Sequence, residues 1–349
     1  MMPRNHYGLI CLFLGLAAPA HATIRTWPGA SPCDTTLNAC ISASSADDTV
    51  QVQSNGPIDE SLSIAKPLTL IAAPGYRPAL AAGRGIAAFY GPGAGVPWSM
   101  TIDGFTLLEG GVGVRPFSGD ATITLRNLDI YATTTSYVGG IIGIDNFGTG
   151  HLVYTIERNR VRMNGSSGLQ GIALTSGNGG TFEGTIHDNR IESVSALGDG
   201  GIQIIGTSAS APSVNVYSNR ISGNIGTGMI LWTAAGSKLT LVNNAMSTAL
   251  ATSIYGFDVV AGDVSVFNNT FAGFGTGITI NSGIAGRLSN NIVAYSSTQA
   301  IAIQGTPVVT EDHTLYFSNG GSTTLGTGSF VADPKFRRGI ADTRPTAGS

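Results

Sequence analysis

One short frame recurs along the chain and restricts its fold more than anything else in it. It reads IERNRV around Asn159, IHDNRI around Asn189, VYSNRI around Asn219, LVNNAM around Asn244, VFNNTF around Asn269 and LSNNIV around Asn291. Each phrase sets one apolar residue three before the Asn and another two after it, and successive markers stand 30, 30, 25, 25 and 22 residues apart. Upstream, IDGFTL and LRNLDI fit the frame with Phe105 and Leu128 at the marker; downstream, TEDHTL fits with His313 there. A second phrase follows each marker: Gly140-Ile141, Gly171-Ile172, Gly201-Ile202, Gly228-Met229, Gly256-Phe257, Gly277-Ile278 and Ala300-Ile301. Repeats of variable length with short alternating apolar runs and no helical period predict a solenoid of strands, one coil per repeat. The 49 glycines and 11% charged residues agree, since helices disfavour glycine and disordered chains need charge.

The frame also predicts a bend. Side chains on a straight strand alternate, so two apolar residues five apart cannot both face inward. A turn at the marker resolves this and points the Asn into the core. Neighbouring coils return every ~4.8 Å, so Asn159, Asn189, Asn219, Asn244, Asn269 and Asn291 are expected to stack as a hydrogen-bonded ladder.

The ends differ from the middle. Residues 1–22 carry Arg4, the apolar run LICLFLGLAA and the small-residue ending Ala20-His21-Ala22, the layout of a cleaved export leader, with a run too short to span a bilayer. Export predicts a secreted or periplasmic protein. Without Arg4 the count is 17 basic against 21 acidic residues, a net charge of −4, which excludes a nucleic-acid footprint. Residues 23–46 read as an N-terminal cap with a short helix starting at Asp34 or Thr35 and an apolar side of Leu37, Ala39 and Ile41. Cys33 and Cys40 are expected to pair in an oxidising compartment. Seven residues of helix would hold them roughly 10 Å apart, so Cys33 must precede the helix and fold back. No His or further Cys lies near them, and neither a metal nor another cofactor is expected.

The two phrases together resemble the right-handed parallel β-helix of the pectate-lyase-like superfamily, whose repeat pairs Gly-Ile-x-Leu with Ile-x-x-Asn-x-Ile. The resemblance covers residues 47–336 and implies an all-β solenoid of about nine coils, some 40 Å long, with a short helical cap. CDTTLNACISASSADDTVQV resembles the opening segment of such secreted proteins, and ADPKFRRGIADTRPTAGS, including the tail 337–349, resembles their close. The scaffold carries lyases, hydrolases, epimerases and adhesins, so it implies no single activity. Its polygalacturonase-type signatures Asn-Thr-Asp and Gly-His-Gly are missing. A lyase of this fold needs a basic group, and beyond the leader the only lysines are Lys66, Lys238 and Lys335, leaving arginine as the base.

In this superfamily catalysis sits on the sheet that begins with the Gly-Ile phrase. The longest connecting segments flank the strands at Gly140, Gly171 and Gly201, which is where a groove would form; unconstrained drift in length is the other reading. Outward residues would include Gln203, Trp232 and Asp258, with Trp232 offering a flat face to a sugar. Asp199 and Asp258 are the candidate acid and base, at an expected separation of roughly 10 Å. Asp145 is a further candidate contact. Arg160, Arg190 and Arg220 each follow a marker and should stack as a basic stripe, met either by an acidic polysaccharide or by Glu157, Asp188 and Glu192. Arg158 over Asp188 and Arg162 over Glu192 are expected opposite-charge pairs. His151, His187 and His313 read as structural. The expected function is a monomeric, secreted protein that binds, and in the stronger form cleaves, a polysaccharide; the alternative is a stiff non-catalytic rod with a structural or adhesive role.

Overall fold

The computed structural model describes residues 22–336 apart from residue 94, 134–138, 166–167, 178, 196–197, 207–210, 234, 251–252, 282 and 322–324. The expected leader, Ala22 excepted, and the expected tail at 337–349 lie outside these described residues.

Three parallel sheets enclose one apolar core. Sheet 1 has 12 strands, from Ile24–Trp27 to Val308–Asp312; sheet 2 has 11, from Ala79–Leu80 to Phe330–Val331; sheet 3 has 10, from Leu62–Ile64 to Gln299–Ile303. Each strand pairs in parallel with its equivalent one coil away, as Ile142–Asn146 does with Gln170–Ser176 in sheet 3. The solenoid has about 11 turns, not nine. Its first coils, through Thr49–Val52 and Leu68–Ala72, carry no marker and are silent in the repeat frame.

Identical positions stack in columns. Ile142, Ile172, Ile202, Met229, Phe257 and Ile278 stand in register and are fully buried. Here the structure corrects the frame by one residue, for Ile142 rather than Ile141 lines up with Ile172. That slip turns Asp145 to the outside, beside Thr175.

The bend has a backbone cause that the frame did not show. The residue just before each marker adopts a left-handed conformation: Gly104, Asn127, Arg158, Asp188, Ser218, Asn243, Asn268, Asn290 and His313 all have φ between 51° and 84°. Glycine and Asn tolerate this region best, which explains the Asn-Asn pairs. At the downstream end the marker is therefore Thr314, not His313, since Ile292 pairs with Leu315.

The marker asparagines form the expected ladder. Each Nδ2 donates to the Oδ1 of the next Asn at 2.9–3.3 Å, from Asn159 through Asn291. The same Oδ1 accepts the backbone N–H of the preceding Asn, at 2.9–3.1 Å. These buried amides satisfy one another and fix the angle between sheets 1 and 2.

The N-terminal end is closed by the helix Leu37–Ala43. Thr36, not Asp34 or Thr35, caps it, its hydroxyl accepting from Ala39 N–H at 3.0 Å. Glu60 from the following coil accepts from Leu37 and Asn38 N–H at 2.8 and 2.9 Å, placing a negative charge on the helix N-terminus. Leu37, Cys40 and Ile41 face inward, Cys40 taking the place expected for Ala39. Cys33 precedes the helix and is disulfide-bonded to Cys40. The strand Ile24–Trp27 pairs with Thr49–Val52, so sheet 1 begins inside the segment read as cap. Among the described residues no helix is long and apolar enough to cross a membrane.

Candidate functional site

The outer face of sheet 3 carries two columns of outward side chains. One runs through Gly143, Ala173, Gln203, Ile230, Asp258 and Thr279; the other through Phe89, Arg115, Asp145, Thr175, Ile205 and Trp232.

Toward the N-terminal end the second column gathers polar and aromatic groups. An Arg115 Nη lies 3.0 Å from Asp145 Oδ2, and Thr175 Oγ1 donates to Asp145 Oδ1 at 3.0 Å. The Arg115 guanidinium sits 5.7 Å from the Phe89 ring centroid and 5.2 Å from that of Phe147, a cation–π sandwich. Phe117 meets Phe89 edge to face at 6.4 Å, and Phe117 and Phe147 are half exposed.

Further along, Trp232 is 45% exposed. Its Nε1–H points to Asp258 Oδ2 at 3.5 Å, the outer limit of a hydrogen bond, and Asn281 Nδ2 donates to Asp258 Oδ1 at 3.1 Å. Asp258 is only 7% exposed. Burial pushes its carboxyl up from its ordinary value, and the bonds from Trp232 and Asn281 offset this only in part. Arg115 and Trp232 are four coils apart, ~19 Å along the stack.

Asp199 has a different setting. It is fully buried, its Oδ1 accepting Leu169 N–H at 3.0 Å and its Oδ2 accepting the Ser193 hydroxyl at 2.8 Å. It stands under a pocket of about 160 Å³ bordered by Gln170, Thr227, Ile230, Leu250 and Ile254. Asp258 shares the column of Gln203, four residues beyond Asp199 on its strand and two coils on. That places the two carboxylates ~13 Å apart along the strand and ~10 Å across it, ~16 Å in all. The expected 10 Å counted coils and not strand position. Asp145 and Asp258 are ~20 Å apart by the same reckoning, so the structure brings no two of these three within the span of a glycosidase pair.

The arginine stripe forms in register, Arg160 beside Arg190 beside Arg220, but on sheet 2. Glu192 ion-pairs with Arg160 at 3.3 Å and with Arg190. Burial alone would raise the Glu192 carboxyl; Arg190 and Arg160 outweigh it and hold it below its ordinary value. Arg162 stands beside Glu192 in register, as expected, but its guanidinium bonds Asp129 at 2.9 Å, and Arg158 bonds Glu157 at 2.7 Å. The histidines belong to sheet 1 and its bend. His187 stacks on Tyr217 at 4.5 Å between Glu157 and Asp188, His151 meets Thr181 at 2.8 Å, and His313 lies 3.3 Å from Asp312. Among the described residues no cluster of three His, Cys, Asp or Glu could hold a metal ion.

Sequence reasoning missed Arg115, Phe89 and Phe147. The signal was there: applying the outward alternation to the strand Val112–Pro116 selects Arg115.

No protein-family profile matches the chain, and no curated protein matches it. Among solved structures, the A-module of the mannuronan C-5 epimerase AlgE6 of Azotobacter vinelandii is similar, with 14% identity over 85% of this chain and 93% of that one, at a TM-score of 0.35. That likeness is too slight to transfer any residue's role, and the architecture, an all-β parallel β-solenoid, stands on the three sheets themselves.

Proposed function

We propose that this protein is an exported β-solenoid that binds a polysaccharide along the outer face of sheet 3. The observation that carries the reading is the exposed Trp232 ring set against the Asp258–Asn281 pair, on the same face as the Phe147–Arg115–Asp145 cluster ~19 Å away. Sugar rings present C–H faces that stack on flat aromatic groups and hydroxyls that need hydrogen-bonding partners. Two such platforms on one rigid sheet fit several units of an extended chain.

Binding, not cleavage, is the reading the geometry favours. A hydrolase needs two carboxylates about 5–9.5 Å apart, and Asp145, Asp199 and Asp258 are all farther from one another. Export rests on the leader-like residues 1–22 and on the Cys33–Cys40 disulfide, which suits an oxidising compartment.

The test is native electrophoresis of the purified protein through gels containing dissolved polysaccharides, with reducing ends and ultraviolet absorbance of unsaturated uronates followed in parallel. Retardation by at least one polymer without new ends is expected. New reducing ends would show hydrolysis, and absorbance with them a lyase. No retardation across a broad panel would leave the stiff structural rod as the better account.

A further inference from the structure

The distribution of charge around sheet 3 says which glycans this face can accept. On its described outward positions the charged residues are Arg115, Asp145 and Asp258. Arg115 is held by Asp145 at 3.0 Å, so its charge is already met. Asp258 adds a negative charge, and among the described residues no cation is bonded to it: its partners there are Trp232 and Asn281.

The connecting segments agree. Residues 133–141, 147–150, 164–169, 177–180, 194–198, 207–212, 233–237, 248–254 and 260–261 border the strands from Ile142–Asn146 to Tyr255–Val259, and none of them is Asp, Glu, Lys, Arg or His. In a chain with 11% charged residues, such a stretch of sequence would ordinarily carry several. The arginines that stack do so on sheet 2, where Glu192 and Asp129 bind Arg160, Arg190 and Arg162.

A polyanion laid on sheet 3 would meet no uncommitted cation and one carboxylate, and its own charges would lose water without gaining a partner. Uncharged sugars meet no such cost. Their hydroxyls can donate to Asp258 and bond Gln203 and Thr175, while their C–H faces cover Trp232 and Phe147. Resting on the reading that this face binds polysaccharide, we propose that its ligand is an uncharged glycan rather than a polyuronate or a sulfated chain.

The experiment is affinity electrophoresis of the purified protein in gels containing uncharged polymers (xylan, mixed-linkage glucan, mannan, dextran) or anionic ones (polygalacturonate, alginate, chondroitin sulfate), each at low and high salt. Retardation by at least one uncharged polymer, insensitive to salt, with none by the anionic polymers, is expected. Trp232→Ala, at a half-exposed position, should weaken that retardation about tenfold or more while leaving the circular dichroism unchanged. Val260→Lys, two residues past Asp258 on the same face, should create salt-sensitive retardation by polygalacturonate. Retardation of the unaltered protein by an anionic polymer, lost in high salt and weakened by Trp232→Ala, overturns the assignment of ligand class and leaves the binding face standing. No retardation by any polymer overturns both.

Discussion

Replacing Asn219 by Ala in the middle of the ladder should cost more than almost any other single polar truncation in this protein. Its Nδ2 donates to Ile186 O at 2.8 Å, Tyr217 O at 3.1 Å and Asn244 Oδ1 at 3.0 Å; its Oδ1 accepts Asn189 N–H at 3.1 Å and Asn189 Nδ2 at 3.0 Å. Alanine removes all five. Asn244 Oδ1 keeps the backbone N–H of residue 219, and Asn189 Nδ2 keeps Ile156 O. Ile186 O loses its side-chain donor, Asn189 N–H loses its acceptor, and one Asn189 amide hydrogen is left unpaired, all at a site about 1% exposed. At ~1–3 kcal/mol for each orphaned buried group, with some relaxation, the loss is about 3–6 kcal/mol. Asn291→Ala, near the end of the stack, should cost only about 2–4 kcal/mol, because Asn269 Nδ2 keeps the carbonyls of Leu241 and Phe267. Asn219→Asp should be worse than alanine although it is isosteric, since a carboxylate would face Ile186 O and Asn244 Oδ1 with no hydrogen to offer. Solenoids need not unfold in one step, so denaturant titration by circular dichroism should be paired with hydrogen exchange over residues 186–244. A loss under about 1 kcal/mol for Asn219→Ala would refute the ladder as the support of the bend.

Asp199→Ala should destabilise by about 1–3 kcal/mol, because Leu169 N–H loses its acceptor and the Ser193 hydroxyl its partner; full stability with lost glycan binding would instead make Asp199 a ligand contact. Tyr154→Phe should stabilise by about 1 kcal/mol in a melting experiment, since the phenol is 1% exposed with no hydrogen-bond partner among the described residues, and a loss would contradict this. Ser218→Asn should add about 0.5–1 kcal/mol by suiting the left-handed φ of 56°, where Asn243 and Asn268 already serve; destabilisation in denaturant would count against it. Burial alone would raise the Asp48 carboxyl, but bonds from Thr23 N–H, Ser45 N–H, the Thr23 hydroxyl and Arg25 hold it at about 2, against an ordinary 3.8. Its folded value is lowered, so its contribution is present above pH ~4 and lost as pH falls toward 2; an acid titration should open the N-terminal end in that window, and Asp48→Asn should flatten it.

The ladder was legible because each coil restates the same local problem: an apolar residue, a left-handed turn, an inward amide, another apolar residue. Local information repeated along a chain survives insertions, so markers 22 and 30 residues apart both declare themselves. The face of sheet 3 has no such redundancy. Which way Asp145 points depends on a one-residue shift after Gly140, and a one-residue slip on a strand exchanges the two faces completely. Asp199 escaped for a related reason: it stands four residues before Gln203, so alternation alone would turn it outward, yet it is buried where the register with the next strand shifts. Arg115 meets Asp145 only because strands 30 residues apart lie side by side, a fact absent from either strand alone. The lack of charge in the bordering segments is different in kind. It is written in the sequence but carries no meaning until the register shows that the strands those segments adjoin lie side by side in one sheet. A solenoid thus announces its fold through periodicity, whereas its binding surface lies in the departures from the period, and those gain positions only from neighbouring coils.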